Sequence, residues 1–121
     1  MLQGLRTVSY TTPDIVKGKE WYSKILGIEP YFDQPFYVGF NVGGYELGLV
    51  PDGVPASKEG SSVLVYWGVD DAHVALKQLI ELGAKPHEDV KDVGEGILVA
   101  SVKDPFGNIL GIIKNPHFKL P

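Results

Sequence analysis

A chain of 121 residues has room for one hydrophobic core and buries roughly two-thirds of its unfolded surface. With 44% hydrophobic and 21% charged residues and a formal charge of -4, it has no basic stripe suited to a phosphate backbone, so nucleic acid is not an expected partner. The absence of cysteine excludes disulfides, thiolate metal sites and cysteine nucleophiles. No apolar run approaches the ~20 residues of a membrane span and the start "MLQGLRTVSY" lacks a signal-peptide pattern, so a soluble cytoplasmic protein is expected.

The first predicted element is the strand "LRTVSY", residues 5 to 10, rich in strand-forming types. A helix follows from about Asp14 to Leu26, with Ile15, Gly18, Tyr22, Ile25 and Leu26 on one face and Gly27 as its stop. The strands "PFYVGFNV" (35 to 42) and "GYELGLVP" (44 to 51) then form a hairpin. The segment "PDGVPASKEGSS" (51 to 62) reads as a linker from its Pro, Gly and Ser content. Beyond it the series repeats. A strand in "SVLVYWGV" (62 to 69) leads to a helix from about Asp71 to Leu82, with Ala72, Ala75, Leu79 and Leu82 on one face and Gly83 as its stop. The strands "GILVASVK" (96 to 103) and "GNILGIIK" (107 to 114) are joined through "DPFGN", a strong turn signal with proline second and glycine fourth.

Displacing the sequence on itself by 56 places aligns Tyr10 with Tyr66, Asp14 with Asp70, Leu26 with Leu82, Gly27 with Gly83, Pro30 with Pro86 and Asp33 with Asp89. These matches fall on helix starts and stops. The chain is therefore expected to be α+β, with βαβββ twice in pseudo-twofold arrangement: module one 1–50, linker 51–62, module two 63–121. Both final strands carry glycine, two residues, then Leu-Gly and two aliphatics. One has Glu46 two residues before its second glycine, Gly48; the other has Ile109 before Gly111.

This order, with "WYSKILG" in the first helix and "DPFGN" before the last strand, resembles the vicinal oxygen chelate superfamily of glyoxalases, bleomycin resistance proteins and extradiol dioxygenases. The resemblance spans nearly the whole chain and implies a cup-shaped mixed sheet with helices outside. It also implies that metal-dependent relatives draw two ligands, usually His or Glu, from the first and last strands of each module. The matching positions here are Thr7; Leu64 or Val63; Gly111; and either Gly48, by internal symmetry, or Glu46, by analogy with relatives. Only Glu46 is a donor of the usual kind, so neither a metal nor another cofactor is expected. His73 in the second helix, His87 in a post-helix loop and His117 in the tail are expected at surfaces.

Alternation groups Leu5, Thr7 and Ser9; Leu64 and Tyr66; Gly44, Glu46 and Gly48; and Ile109, Gly111 and Ile113 as the lining of the cup, with Trp67 in the core. Thr7, Ser9, Gly48, Leu64, Tyr66 and Gly111 are the candidate ligand-binding residues and Glu46 the candidate catalytic one. A carboxylate on a central strand is costly to leave unpaired: Glu46 is a general base or cation anchor, or else a solvated rim residue or one half of a salt bridge with Arg6. The repeated glycines either leave room for a ligand or mark bends.

A small-molecule-handling member without the usual metal site is the leading reading. The alternatives are a metal-dependent lyase or dioxygenase of the glyoxalase type and a drug-sequestering bleomycin-resistance-type protein drawing basic antibiotics. Two such modules often meet across chains, so the resemblance also implies a homodimer, with "NPHFKLP" at the contact. Glu59 in the linker serves as the acid expected to lie outside the cup.

Overall fold

The computed structural model describes residues 1, 3, 5–52 and 64–118. Most of the expected linker, together with Glu59 and Val63, lies outside the described residues. The chain divides into two compact units, Met1–Pro55 and Ala56–Pro121.

In the first unit, β1 (Thr7–Thr11) leads into α1 (Ile15–Leu26). Asp14 starts this helix because its carboxylate accepts the Lys17 N–H, satisfying one of the orphan donors of the first turn. Gly27 ends it at φ 70, a left-handed conformation that carries no steric penalty without a Cβ. The strands β2 (Phe32–Gln34), β3 (Tyr37–Val42) and β4 (Tyr45–Val50) follow. The sheet order is β1-β4-β3-β2, with β1 parallel to β4 and the other pairs antiparallel.

Period-two alternation then separates two faces. Tyr10, Val38, Phe40, Leu47 and Leu49 are buried on one, against the side to which α1 brings Tyr22. Tyr22 stacks on Tyr10 with ring centroids 5.9 Å apart. Burial of each such side chain contributes about 1.5–3 kcal/mol. The other face carries Thr7, Ser9, Tyr37, Gly39, Asn41, Glu46 and Gly48. Between β3 and β4 the chain reverses through Gly43 and Gly44, at φ 61 and 94. Two consecutive positive φ values suit the twist of a two-residue hairpin, and Asn41 Oδ1 accepts the Gly44 N–H at 2.9 Å.

The second unit repeats the plan with β5 (Tyr66–Gly68), α2 (Ala72–Glu81), β6 (Lys85–Asp92), β7 (Leu98–Lys103) and β8 (Ile109–Lys114). Its order is β5-β8-β7-β6, again with the first strand parallel to the last. Ala100, Val102, Leu110 and Ile112 form its buried layer. At "DPFGN" the buried Asp104 carboxylate accepts the backbone N–H groups of Phe106 and Asn108 and the Asn108 side-chain amide, while Gly107 takes φ 93. The protein is thus α+β, two βαβββ units each with a four-stranded mixed sheet.

Three expectations change. Asp71, where the helix was expected to start, caps α2, so it is the pairing of Asp14 with Asp70 that fails, and the first strands of the two units are offset by one residue from the 56-place register. Tyr10 and Tyr66 are consequently not equivalent: Tyr10 is 6% exposed and paired with Leu49, whereas Tyr66 is 42% exposed and paired with Gly111. His87 lies within β6 rather than a loop, because "KPHEDVKD" gains its strand character from pairing with β7 and has almost no apolar alternation of its own. Gly44, grouped with Glu46 by alternation, belongs to the turn.

Candidate functional site

Glu46 is half-buried near the start of β4, opposite Thr7 of β1 and Asn41 of β3. Its Oε1 accepts the Thr7 hydroxyl at 2.8 Å. Its Oε2 accepts two phenols, Tyr31 at 2.6 Å and Tyr37 at 2.9 Å. Three donors to one carboxylate favour its ionised form. The Tyr31 bond does most to hold the Glu46 carboxyl below its ordinary range, followed by the Thr7 bond, with burial opposing and the Tyr37 bond adding to the first two. Burial, then the bond to Glu46, pushes the Tyr37 phenol up to about 12. Tyr31 is raised mainly by its bond to the same carboxylate.

The backbone makes this cluster possible. Tyr37 sits opposite Val50, so its ring must lie along the sheet to reach Glu46. It crosses Gly48, where a Cβ would land on its hydroxyl and lie 2.7 Å from Cζ. Gly39, paired with Gly48, is equally constrained: a Cβ there would come within 2.9 Å of Glu46 Oε2 and 3.2 Å of both tyrosine rings. The cross-strand glycine pair is a flat floor for two aromatic rings. Tyr31 is held over it by its N–H bond to Gly39 O, and Lys19 of α1 ties down Asp33 of β2 at 2.8 Å. Phe32 packs against Phe36 and Tyr37, with centroids 6.1 and 6.0 Å away. Tyr31 and Phe36 remain 64% and 66% exposed.

Of the residues singled out in the sequence, Thr7, Ser9, Glu46 and Gly48 share this face, with Ser9 opposite Gly48. The competing pair for Glu46 does not form: the Arg6 guanidinium donates to Gln3, and the groups bonded to the carboxylate are hydroxyls. Tyr66 and Gly111 lie together on the second sheet, where a Cβ on Gly111 would meet Tyr66 Cδ1 and the Val65 carbonyl oxygen, both at 2.7 Å. On that sheet Gly111 also pairs with Ser101, whose hydroxyl is 2.9 Å from His87 Nδ1. Leu64, just before β5, is exposed. Tyr31 and Tyr37 were not singled out. Alternation places Tyr37 with Gly39, but its reach to Glu46 depends on the β3–β4 register, and Tyr31 stands outside any strand.

The divalent ion implied by the resemblance does not fit these residues. The parallel register resolves the partner of Thr7 as Glu46 rather than Gly48. Oε2 of that glutamate is taken up by two phenols, and Leu64, Ile109 and Gly111 have no side-chain donor. Among the described residues no group of three or more His, Cys, Asp or Glu side chains converges. His73 is exposed on α2, and His117 Nε2 lies 2.7 Å from the Glu95 carbonyl.

Solved structures share the fold over nearly the full length. A glyoxalase-related enzyme from Fulvimarina pelagi superposes with a TM-score of 0.79 at 20% identity, covering 99% of this chain and 94% of that one. A superfamily member from Sphaerobacter thermophilus gives 0.75 at 20% identity, with 95% and 99% covered. A lactoylglutathione lyase from Agrobacterium tumefaciens gives 0.73 at 16% identity, with 98% and 100% covered. Comparison with curated proteins returns no match. Residues 4–112 match the family model, and the chain belongs to the Glyoxalase/Bleomycin resistance protein/Dioxygenase superfamily.

Proposed function

We propose that this protein handles a small organic molecule on the face of the first sheet that carries Glu46, without using a metal ion. The supporting observation is the carboxylate itself, ionised, half-buried and fixed by Thr7, Tyr31 and Tyr37. A solvated rim charge has no need of three positioned hydroxyls and a glycine floor. Between the roles of base and anchor, the hydrogen bonds favour the anchor, because a carboxylate held below its ordinary range is a weaker proton acceptor. Thr7 and Ser9 orient the ligand beside it, and Gly48 leaves the height that the Tyr37 ring needs to reach the carboxylate. Leu64, Tyr66 and Gly111, in the second unit, are read by themselves as further ligand-binding residues. The protein is read as a cytoplasmic homodimer, in keeping with the family resemblance and the lack of cysteine.

Native mass spectrometry of freshly purified protein tests this directly. The expected spectrum shows a dimer with no stoichiometric metal, and added Zn, Ni, Mn or Fe ions leave the melting temperature essentially unchanged, whereas a ligand at 100 times its dissociation constant contributes about 2.7 kcal/mol. A tightly held metal, or turnover of a ketoaldehyde thiol adduct that requires one, would sink the metal-free reading. Glu46→Gln is expected to keep the fold and weaken ligand binding by about tenfold to a hundredfold. The same change at Glu20, exposed on α1, is the control.

A further inference from the structure

The hydrogens of the Glu46 cluster are all committed. A hydroxyl has one proton to give, and with the carboxylate ionised, Thr7, Tyr31 and Tyr37 must each give theirs to Glu46. What the cluster offers a ligand is therefore lone pairs: those left on Thr7 Oγ1, Tyr31 Oη and Tyr37 Oη, and one on Glu46 Oε1, which accepts a single bond where Oε2 accepts two. Among the described residues the negative charge also lacks a counter-ion. Among the described residues the bonds to Glu46 come from neutral hydroxyls, and the ion pairs are Lys17 with Asp14 and Lys19 with Asp33. Beside the lone pairs stand the rings of Tyr31, Phe32 and Phe36, with Tyr31 and Phe36 mostly exposed.

We propose that this cluster binds the protonated amino group of an organic amine, with the ammonium on Glu46 Oε1 and the neighbouring hydroxyl oxygens and the apolar body of the amine on Phe32 and Phe36. An ammonium group is the complement the cluster lacks, since it is all donors and carries the opposite charge. An alcohol brings one donor and no charge. A carboxylate or phosphate meets only acceptors and is repelled. A hard divalent ion takes six or more oxygens, commonly several of them charged, and finds one carboxylate. This inference rests on the reading of the same face as a small-molecule site and narrows the ligand class.

The test is an aromatic proton–carbon NMR titration with benzylammonium, benzyl alcohol, benzoate, Mg2+ and Zn2+ at constant ionic strength, followed on the rings of Tyr31 and Tyr37. Benzylammonium is expected to shift these signals saturably and to bind about tenfold or more tightly than benzyl alcohol. Glu46→Gln, with its fold checked by the backbone spectrum, should bring the two to the same affinity. Tyr31→Phe, which keeps the charge and removes one oxygen, should weaken the amine several-fold and leave the alcohol nearly unchanged. Equal binding of amine and alcohol, or tighter binding of benzoate, overturns the ammonium assignment while the small-molecule site stands. A metal ion that saturates the same rings more tightly than the amine overturns the assignment and the metal-free reading. If none of the probes moves the rings, both the assignment and the site are wrong.

Discussion

Gly48 and Gly111 occupy equivalent strands, and each lies beneath a tyrosine ring. At Gly48 the ring comes from the antiparallel neighbour β3 and runs along the sheet to Glu46. At Gly111 it comes from the parallel neighbour β5, from the residue directly in register. The backbone device is shared, and the residue two places earlier decides its use. Glu46 turns the first copy into a carboxylate cluster, while Ile109 puts no charge in the second. The glycine repeat noticed in the sequence is therefore a provision for aromatic rings, and its chemistry is set separately.

The two glycines differ in what an added methyl group would strike, and substitution there gives the largest expected effects. At Gly111 the obstacles are Tyr66 and the Val65 carbonyl oxygen, which is part of the backbone. Gly111→Ala should cost about 2–3 kcal/mol, at the upper end of overpacking penalties, and Tyr66→Ala should not restore it. At Gly48 the obstacle is the far end of the Tyr37 ring, so Gly48→Ala should cost less, about 1–2 kcal/mol, with much of the loss coupled to Tyr37. Urea denaturation in a double-mutant cycle reads both, and equal coupling in the two pairs would break the comparison.

Removing single hydroxyls sharpens it further. Tyr37→Phe should destabilise by about 1 kcal/mol, as a half-buried donor to a charged acceptor, and Tyr31→Phe by less because it is more exposed. The pH dependence reads the same bonds. The folded Tyr37 phenol, at about 12 against an ordinary 10.0, favours its neutral form, so this contribution is complete below pH 10 and is lost as pH rises from about 10 to 12. Glu46 acts in the opposite direction. Its lowered pKa contributes stability above the unfolded value that is lost as pH falls through the folded one. Chemical denaturation at alkaline pH should show the first loss in the parent protein and not in Tyr37→Phe.

The elements with strong local signals were legible in the sequence. Asp14 and Gly27 bound α1 because caps act over one helical turn, and "DPFGN" makes its turn through contacts among its own residues, centred on Asp104. The helix start at Asp71 was read from the sequence, but the 56-place pairing matched Asp14 with Asp70, and that one-residue error shifted which tyrosines match. β6 was unreadable because Lys, His, Glu and Asp dominate it, and its pairing to β7 includes register shifts around Glu88. Glu46 stood out as a carboxylate on an otherwise apolar strand, and alternation placed Thr7 on its face. Tyr31 bonds it from fifteen residues away in the chain, a contact fixed by the turn of β2 against β3 rather than by any local pattern.

The tight Gly43–Gly44 reversal ties the chemistry of the protein to its exact length. It sets Val42 opposite Tyr45 and thereby turns Glu46 away from the layer that holds Leu47 and Leu49. Because side chains alternate strictly along a strand, gaining or losing one residue at this tip would rotate leucine into the place of the carboxylate and drive the charge into the apolar layer. A single codon inserted or deleted at the tip would therefore move the carboxylate off this face, with every residue of the strand still encoded.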